Sequence, residues 1–325
     1  MNSGTVSPQH KLRVGVLRGG PSNEYEVSIK TGASVLRNLP EKYQPQDIFI
    51  SKQGDWHIDG VARPPEKILQ RVDVVWNALH GEYGEDGRVQ KLLSDLNMPF
   101  TGSDALASAV GMNKLLAKKT FAAYGLKTPF YAAVKRGENT AENAHQMLKS
   151  FTLPVIVKPA ASGSSVGVSL AADLVTLIQA LEMALAISEV ALVEEYIRGK
   201  EATVGVIDGF REAKHYALLP VEIIHGSSFF DYNAKYSPET REVSPGNFSS
   251  AESRELEELA VRAHRALGMR HYSRSDFIVS PNGIYILETN SLPGLTEHSL
   301  IPKSLETVGS SLPEFLDHVI TLAIR

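Results

Sequence analysis

The opening strand-turn-helix pattern constrains the fold of this chain more than any other feature. Arg13-Val14-Gly15-Val16-Leu17 is apolar enough to be covered on both faces, and it ends in Arg18-Gly19-Gly20-Pro21-Ser22. Glycines there let the backbone turn where a side chain would clash. An amphipathic helix follows, with Val27, Ile29, Ala33, Val35 and Leu36 on or near its apolar side. Further strands at 46–51 and 72–78 continue the alternation, which predicts an α/β unit built on a parallel sheet. The third strand runs into Leu79-His80-Gly81-Glu82-Tyr83-Gly84-Glu85-Asp86-Gly87. Loops at the carboxyl ends of such strands open onto a crevice where ligands bind.

A chain of 325 residues exceeds what one core supports, so two or three subdomains are expected. The pattern divides into a disordered polar lead-in over 1–11, an α/β domain over 12–102, a central α+β block over 103–198 and a C-terminal block over 199–325. In the central block a helix over Asn113–Tyr124 is stopped by Gly125, and strands at 155–158, 166–170 and 191–195 flank a helix at 174–186. The last block is β-rich and then helical; one helix opens on the capping box Ser249-Ser250-Ala251-Glu252 and stops at Gly268. A net charge of −4 argues against a nucleic-acid binder or an anionic-membrane binder. The absence of cysteine excludes disulfides, thiolate metal sites and a cysteine nucleophile, and suits a reducing cytoplasm. No apolar run approaches the ~20 residues that span a bilayer, and the N-terminal stretch does not read as a secretory signal.

The densest chemistry lies in Ser273–Asn290, read as a hairpin around Pro281-Asn282-Gly283. With those three residues as the loop, Asp276 pairs Glu288 and Arg274 pairs Asn290, while Phe277, Val279 and Leu287 take the other face. A two-residue loop would set Asp276 against Thr289 instead. Facing carboxylates repel unless a cation lies between them, and Asp276, Glu288 and Asn290 form an oxygen-donor set suited to Mg²⁺. The alternative is an exposed polar hairpin end in which Arg274 alone neutralises the acids. Magnesium held this way implies a polyphosphate, and Lys114, Lys158 and Lys235 are the candidate cations to meet it. Most lysines are merely solvated, but Lys158 closes the apolar run Leu153-Pro154-Val155-Ile156-Val157 beside glycine-freed amides.

Gly163-Ser164-Ser165-Val166-Gly167 also satisfies the G-x-S-x-G pattern of a hydrolase nucleophile elbow, which would make Ser165 a nucleophile. His225, His264, His271 and His298 are potential bases for such a triad, though none sits in a persuasive loop. An elbow is strand-turn-helix, whereas Val166-Gly167-Val168-Ser169-Leu170 alternates like a strand. The loop is therefore read as a mobile hairpin tip that offers amides and hydroxyls to an anion.

In order along residues 12–320, these motifs resemble the ATP-grasp ligases, and within them the D-alanine–D-alanine ligase family. The carrying segments are Gly19-Gly20-Pro21-Ser22-Asn23-Glu24-Tyr25-Glu26-Val27-Ser28, the His80–Gly87 loop, Pro154–Pro159 with Gly163–Gly167, and Phe230–Tyr236. Arg274-Ser275-Asp276 and the block from Leu287 to Leu300 complete the set. The resemblance implies an ATP-grasp fold: a Rossmann-like parallel sheet with two α+β subdomains clasping ATP. It implies that two D-alanines are joined through an acylphosphate, for peptidoglycan precursor synthesis. Lys114, Lys158 and Lys235 would then hold phosphates, and Asp276, Glu288 and Asn290 two Mg²⁺ or Mn²⁺ ions. Arg274 and the Gly294 amide would stabilise the tetrahedral intermediate, Glu26 would bind the first D-alanine's ammonium near His80, and Ser299 and Leu300 would seat the second substrate. Glu194, Glu195 and Ile197 would meet adenine, Glu201 the ribose, and Phe229 would pack on the base. A chain of hydrogen bonds from Tyr236 to Ser164 to Glu26 is expected to tie the lid to the substrate floor.

The same resemblance implies a cytoplasmic homodimer with no membrane insertion. One departure lies in the lid, where Ala161-Ser162 stands in place of an expected Arg-Glu pair. Bland readings compete at several positions: Glu26 and Glu201 as solvated acids, His80 as a structural loop residue, Phe229 as core, and Ser299 as a helix cap. Two other activities stay open here, a related carboxylate–amine or D-lactate ligase and a serine hydrolase using Ser165.

Overall fold

A computed structural model describes residues 11–161, 163, 166–224 and 240–325. Strand β1 (Leu12–Gly19) pairs in parallel with β2 (Tyr43–Ile50) on one side and β5 (Val74–Asn77) on the other. Its Val14–Leu17 run is buried, as a strand covered on both faces requires. Helix α1 (Tyr25–Asn38) makes the crossover between β1 and β2. The turn before it depends on Gly19, whose φ is +94° and where a Cβ would overlap the Ile50 carbonyl oxygen.

The sheet is mixed rather than wholly parallel, in the order β4-β3-β2-β1-β5. Strands β3 (Trp56–Ile58) and β4 (Val61–Ala62) add an antiparallel ribbon at the β2 edge. Its two-residue loop is Asp59-Gly60, both with positive φ, a turn whose twist matches a hairpin. Helices α2 (Pro65–Leu69) and α3 (Arg88–Asp95) complete this part.

Helices α4 (Ala105–Met112) and α5 (Lys114–Ala123) follow, capped by Asp104 and Asn113. The second sheet, ordered β6-β9-β7-β8, is antiparallel. It comprises β6 (Tyr131–Lys135), β7 (Val155–Pro159), β8 (Ser169–Ala171) and β9 (Val190–Glu195), with α6 (Thr140–Met147) and α7 (Leu174–Ile187) packed on it.

The third sheet holds β10 (Lys200–Asp208), β11 (His215–Ala217), β12 (Val221–Ile224), β13 (Arg241–Val243), β14 (Tyr272–Ser280) and β15 (Gly283–Asn290). Its order is β13-β12-β10-β14-β15, with β11 also on β10. Helix α8 (Ser250–Ala266) starts at the Ser249–Glu252 capping box and covers the sheet. Ala107 and Phe121, from α4 and α5, share this core with Leu256, Phe277 and Ile286, so both helices pack under the third sheet. Helices α9 (Leu300–Thr307) and α10 (Leu312–Ala323) return to the first sheet, where Ile301, Phe315 and Val319 pack with Val16 and Trp76. Among the described residues, no helix is long and apolar enough to cross a membrane.

Candidate active site

The β14–β15 hairpin sets Asp276 opposite Glu288 and Arg274 opposite Asn290, as the three-residue loop predicted, but by a different route. The turn holds two residues, Pro281 and Asn282, because Ser280 pairs Gly283. A straight ladder from that turn would carry Leu287 to Asp276. A bulge between Asp276 and Phe277 absorbs Leu287 as the extra residue and restores the acidic pair. The core face consequently carries Phe277, Val279, Ile284 and Ile286, all buried, while Leu287 is only half-buried. Each acid has a cationic neighbour. Arg274 grips Asp276 through Nε at 3.0 Å and Nη2 at 2.9 Å, and Lys114 Nζ lies 3.3 Å from Glu288 Oε2. Thr203 on β10 donates to Asp276 Oδ1 at 2.6 Å.

Lys114 is the first residue of α5, and its backbone N–H donates to Ala160 at 2.8 Å, which fixes the helix start against the end of β7. Together with Arg274, Glu288, Asn290 and Gly294 it lines a solvent-open cleft. Lys158 stands on β7 with its ammonium 2.8 Å from Glu194 Oε2, and Lys118 Nζ lies 3.0 Å from the other oxygen of the same carboxylate. Glu194 and Lys118 are essentially inaccessible, so these three side chains form a buried ionic cluster. Burial pushes Lys118 down to about 8, against the Glu194 charge, which raises it. Sequence reasoning missed Lys118; the available signal was its i+4 spacing from Lys114 on one helix face. Glu195 accepts the Phe130 N–H at 2.8 Å, and Ile197 and Glu201 are half-buried just beyond β9 and at the start of β10.

Glu26 is exposed on the first turn of α1 and does not line the cleft; Glu24, at the N-cap position of that helix, does. The physical reason is helical phase: two residues turn a side chain through ~200°, so Glu24 and Glu26 point in nearly opposite directions. The structure thus brings Glu24, and not Glu26, to the cleft. A Cβ at Gly163, in the glycine-serine loop, would overlap Glu24 Oε2, so the loop tip rests directly on this acid.

Beside it, His80 is buried with Nε2 2.9 Å from Thr31 Oγ1 and Nδ1 4.0 Å from Glu85 Oε2. Burial, and secondarily the Arg274 charge, pushes His80 down to about 4. Burial, and then the neighbouring Glu24 charge, pushes Glu85 up to about 8, although it accepts the Gly81 N–H at 2.7 Å. Burial thus favours the uncharged form of both groups at neutral pH. Sequence reasoning points to this loop but does not separate Glu85 from the other acids in it.

Gly294 and Ser299 adjoin, since a Cβ on Gly294 would stand 2.9 Å from Ser299 Oγ. Ser299 occupies the N-cap position of α9, yet its hydroxyl does not cap the helix; it meets Thr296 Oγ1 at 2.8 Å and the Thr296 N–H at 3.0 Å. Leu300 opens α9 and is half-buried. Strands β7 and β8 pair antiparallel across the loop, Val157 opposite Ser169, which is strand-loop-strand and not an elbow. Ser162, Ser164, Ser165, Phe229, Lys235 and Tyr236 lie outside the described residues, and with them most of the expected latch.

Comparison with known proteins bears on the whole chain. Residues 13–68 and 60–103 match the family profile described as "D-ala D-ala ligase N-terminus", and residues 120–321 match "D-ala D-ala ligase C-terminus". The D-alanine–D-alanine ligase of Geobacter sulfurreducens is 38% identical over 315 residues, covering 96% of this chain and 94% of that protein. That of Syntrophobacter fumaroxidans is 39% identical over 320 residues, covering 97% and 98%. Among solved structures, the VanG D-Ala:D-Ser ligase of Enterococcus faecalis superposes with a TM-score of 0.84 at 29% identity, covering 97% of this chain and all of that one. The D-alanine–D-alanine ligase of Coxiella burnetii gives the same TM-score at 26% identity, covering 97% and 94%.

Proposed function

This chain belongs to the D-alanine–D-alanine ligase family, and from that premise we propose how its own residues carry out the reaction. It is an ATP-dependent ligase of the ATP-grasp fold that joins two D-alanines by a peptide bond. In the proposed course, one oxygen of the first D-alanine's carboxylate attacks the γ-phosphorus of ATP; ADP leaves and an acylphosphate forms. The amine of the second D-alanine then attacks the acyl carbon, loses a proton, and the tetrahedral centre collapses with release of phosphate. Charge develops first on the phosphoryl group and then on the oxyanion, so placed cations and N–H donors are the main catalytic means.

Glu24 is assigned the ammonium of the first D-alanine. Neutral His80 and Glu85 support that assignment, because a charged imidazole there would repel the ammonium and an ionised Glu85 would repel Glu24. Arg274 and the Gly294 amide are assigned the oxyanion, Ser299 and Leu300 the second substrate, and Lys114, Lys158 and Lys235 the phosphates. Asp276, Glu288 and Asn290 offer oxygen donors on neighbouring strands, a set whose chemistry fits Mg²⁺ or Mn²⁺. Such ions, when bound, would neutralise charge on the phosphates. Glu194 is assigned to the nucleotide end chiefly through its hold on Lys158, with Glu195, Ile197, Glu201 and Phe229 around the base and ribose. The reading extends to a cytoplasmic homodimer that supplies dipeptide for peptidoglycan precursors; this part rests on the family likeness.

The observation that carries the proposal is the convergence of Arg274, Glu288, Asn290, Gly294, Lys114 and Glu24 on one cleft. The test is phosphate release from ATP with D-alanine, D-serine, L-alanine or D-lactate, with the products separated. D-alanine alone should suffice, and Lys158→Ala should nearly abolish turnover. Activity only with a different acceptor would replace the second substrate, and unchanged turnover in Lys158→Ala would remove its phosphate role.

A further inference from the structure

Away from the cleft, Asp208, His215 and His264 bring three metal-ligating atoms within 4.8 Å of one another. Asp208 closes β10 and His215 opens β11, directly opposite it in the antiparallel ladder. His264 comes from the last turn of α8, across the sheet. Asp208 Oδ1 lies 2.7 Å from His215 Nδ1 and 3.1 Å from His264 Nε2. Asp208 is five positions along β10 from Thr203, which pairs Asp276; at a strand's rise the cluster is therefore ~16 Å from the acidic pair of the cleft.

The state of His264 is what points to a ligand. Its ring is fully buried, and Nε2 makes no hydrogen bond of proper geometry among the described residues although it faces a carboxylate. Its other nitrogen, Nδ1, is 2.7 Å from Ser273 Oγ. A ring held at Nδ1 by a hydroxyl presents Nε2 in a fixed direction, which is how outer hydrogen bonds orient metal-ligating imidazoles. The carboxylate is oriented as well: Asp208 Oδ2 accepts the His271 N–H at 2.7 Å, which turns Oδ1 toward the two rings.

We propose that Asp208 Oδ1, His215 Nδ1 and His264 Nε2 bind a zinc-class dication that fastens the β10–β11 hairpin to α8. Two imidazoles and one carboxylate are a zinc set, whereas magnesium prefers all-oxygen surroundings. Tetrahedral zinc with bonds of about 2.0–2.1 Å spaces its ligand atoms by about 3.3 Å. The Asp208–His215 and Asp208–His264 separations, 2.7 and 3.1 Å, are shorter than this and all three atoms lie within 4.8 Å of one another, so side-chain rotations suffice to reach it. Asp208 and His215 remain about one-fifth exposed, which leaves an entry path and a fourth position for water.

The test uses the full chain stripped with EDTA and titrated with Co²⁺, then Zn²⁺, without nucleotide. One Co²⁺ per chain should give the intense visible absorption of a tetrahedral nitrogen–oxygen site, Zn²⁺ should displace it, and saturating Zn²⁺ should raise the melting temperature. His215→Ala should remove both responses while its melting temperature in EDTA stays that of the parent, showing that it folds. Ser273→Ala should weaken binding by at least about tenfold, and Asp276→Asn should leave the absorption intact. No tetrahedral absorption, or one that survives His215→Ala or disappears with Asp276→Asn, overturns the proposal.

Discussion

Replacing Glu85 by Gln should make the protein more stable at neutral pH, by an amount that depends on pH in a defined way. The Glu85 carboxyl is buried beside Glu24 and is raised from 4.5 to about 8, by burial first and the Glu24 charge second. In the unfolded chain it loses its proton near 4.5, so between 4.5 and 8 the native state holds a proton that the unfolded state has released. Stability must fall as pH rises through that window: the contribution is complete below 4.5 and lost by 8. Three and a half pH units at about 1.4 kcal/mol each give about 5 kcal/mol in all, of which about 3 kcal/mol is already lost at pH 7. Glutamine keeps the shape, stays neutral and still accepts the Gly81 N–H through its oxygen. Denaturant titrations of both proteins from pH 5 to 9 measure the difference. The variant's advantage should grow by about 1.4 kcal/mol per unit and level off above pH 8. A difference that is flat from pH 5 to 8 would refute the reasoning, because it would mean that Glu85 titrates alike in both states.

Two further substitutions separate neighbouring interpretations. Glu24→Gln should lower kcat/KM for D-alanine ligation roughly 10- to 100-fold through loss of one charged hydrogen bond to the substrate ammonium, whereas Glu26→Gln, on the exposed side of α1, should stay within about twofold in the same steady-state assay. Glu194→Gln leaves Lys118 and Lys158 without their shared carboxylate and should cost about 3–5 kcal/mol, read as a lowered denaturation midpoint; an unchanged midpoint would show that the cluster is solvated.

Much of the architecture was legible because burial and backbone needs leave local marks. The apolar run at Val14–Leu17, the glycine turn after it and the capping box at Ser249 each announce an element through physics confined to a few residues. What was not legible depends on contacts distant in sequence. The β3–β4 ribbon is short and half exposed, and only its edge pairing with β2 makes it a strand. Helices α4 and α5 follow the first sheet and precede the second in sequence, yet they pack beneath the third, because their apolar faces fit Leu256 and Phe277. Nothing within 103–126 signals that choice.

The site divides along the same line, between which residues are present and which way they face. A wrong turn length still led to the Asp276–Glu288 pair, since the bulge at Leu287 offsets the shorter loop. At Glu26 nothing offsets the helical phase, because two residues along a helix reverse the face presented and Glu24 is the acid that reaches the cleft. Lys118 shows why the electrostatics could not be read linearly. Beside Lys119 on a short helix it looks like any solvated lysine, yet it is fully buried against Glu194. Its presence changes what Lys158 can offer. A Lys158–Glu194 pair alone would be neutral, and a phosphate would gain little from it; with Lys118 sharing the same carboxylate, the cluster keeps a net positive charge at neutral pH. Under the phosphate role proposed for Lys158, the buried lysine is what leaves that charge unspent, and Glu194 fixes its position without cancelling it.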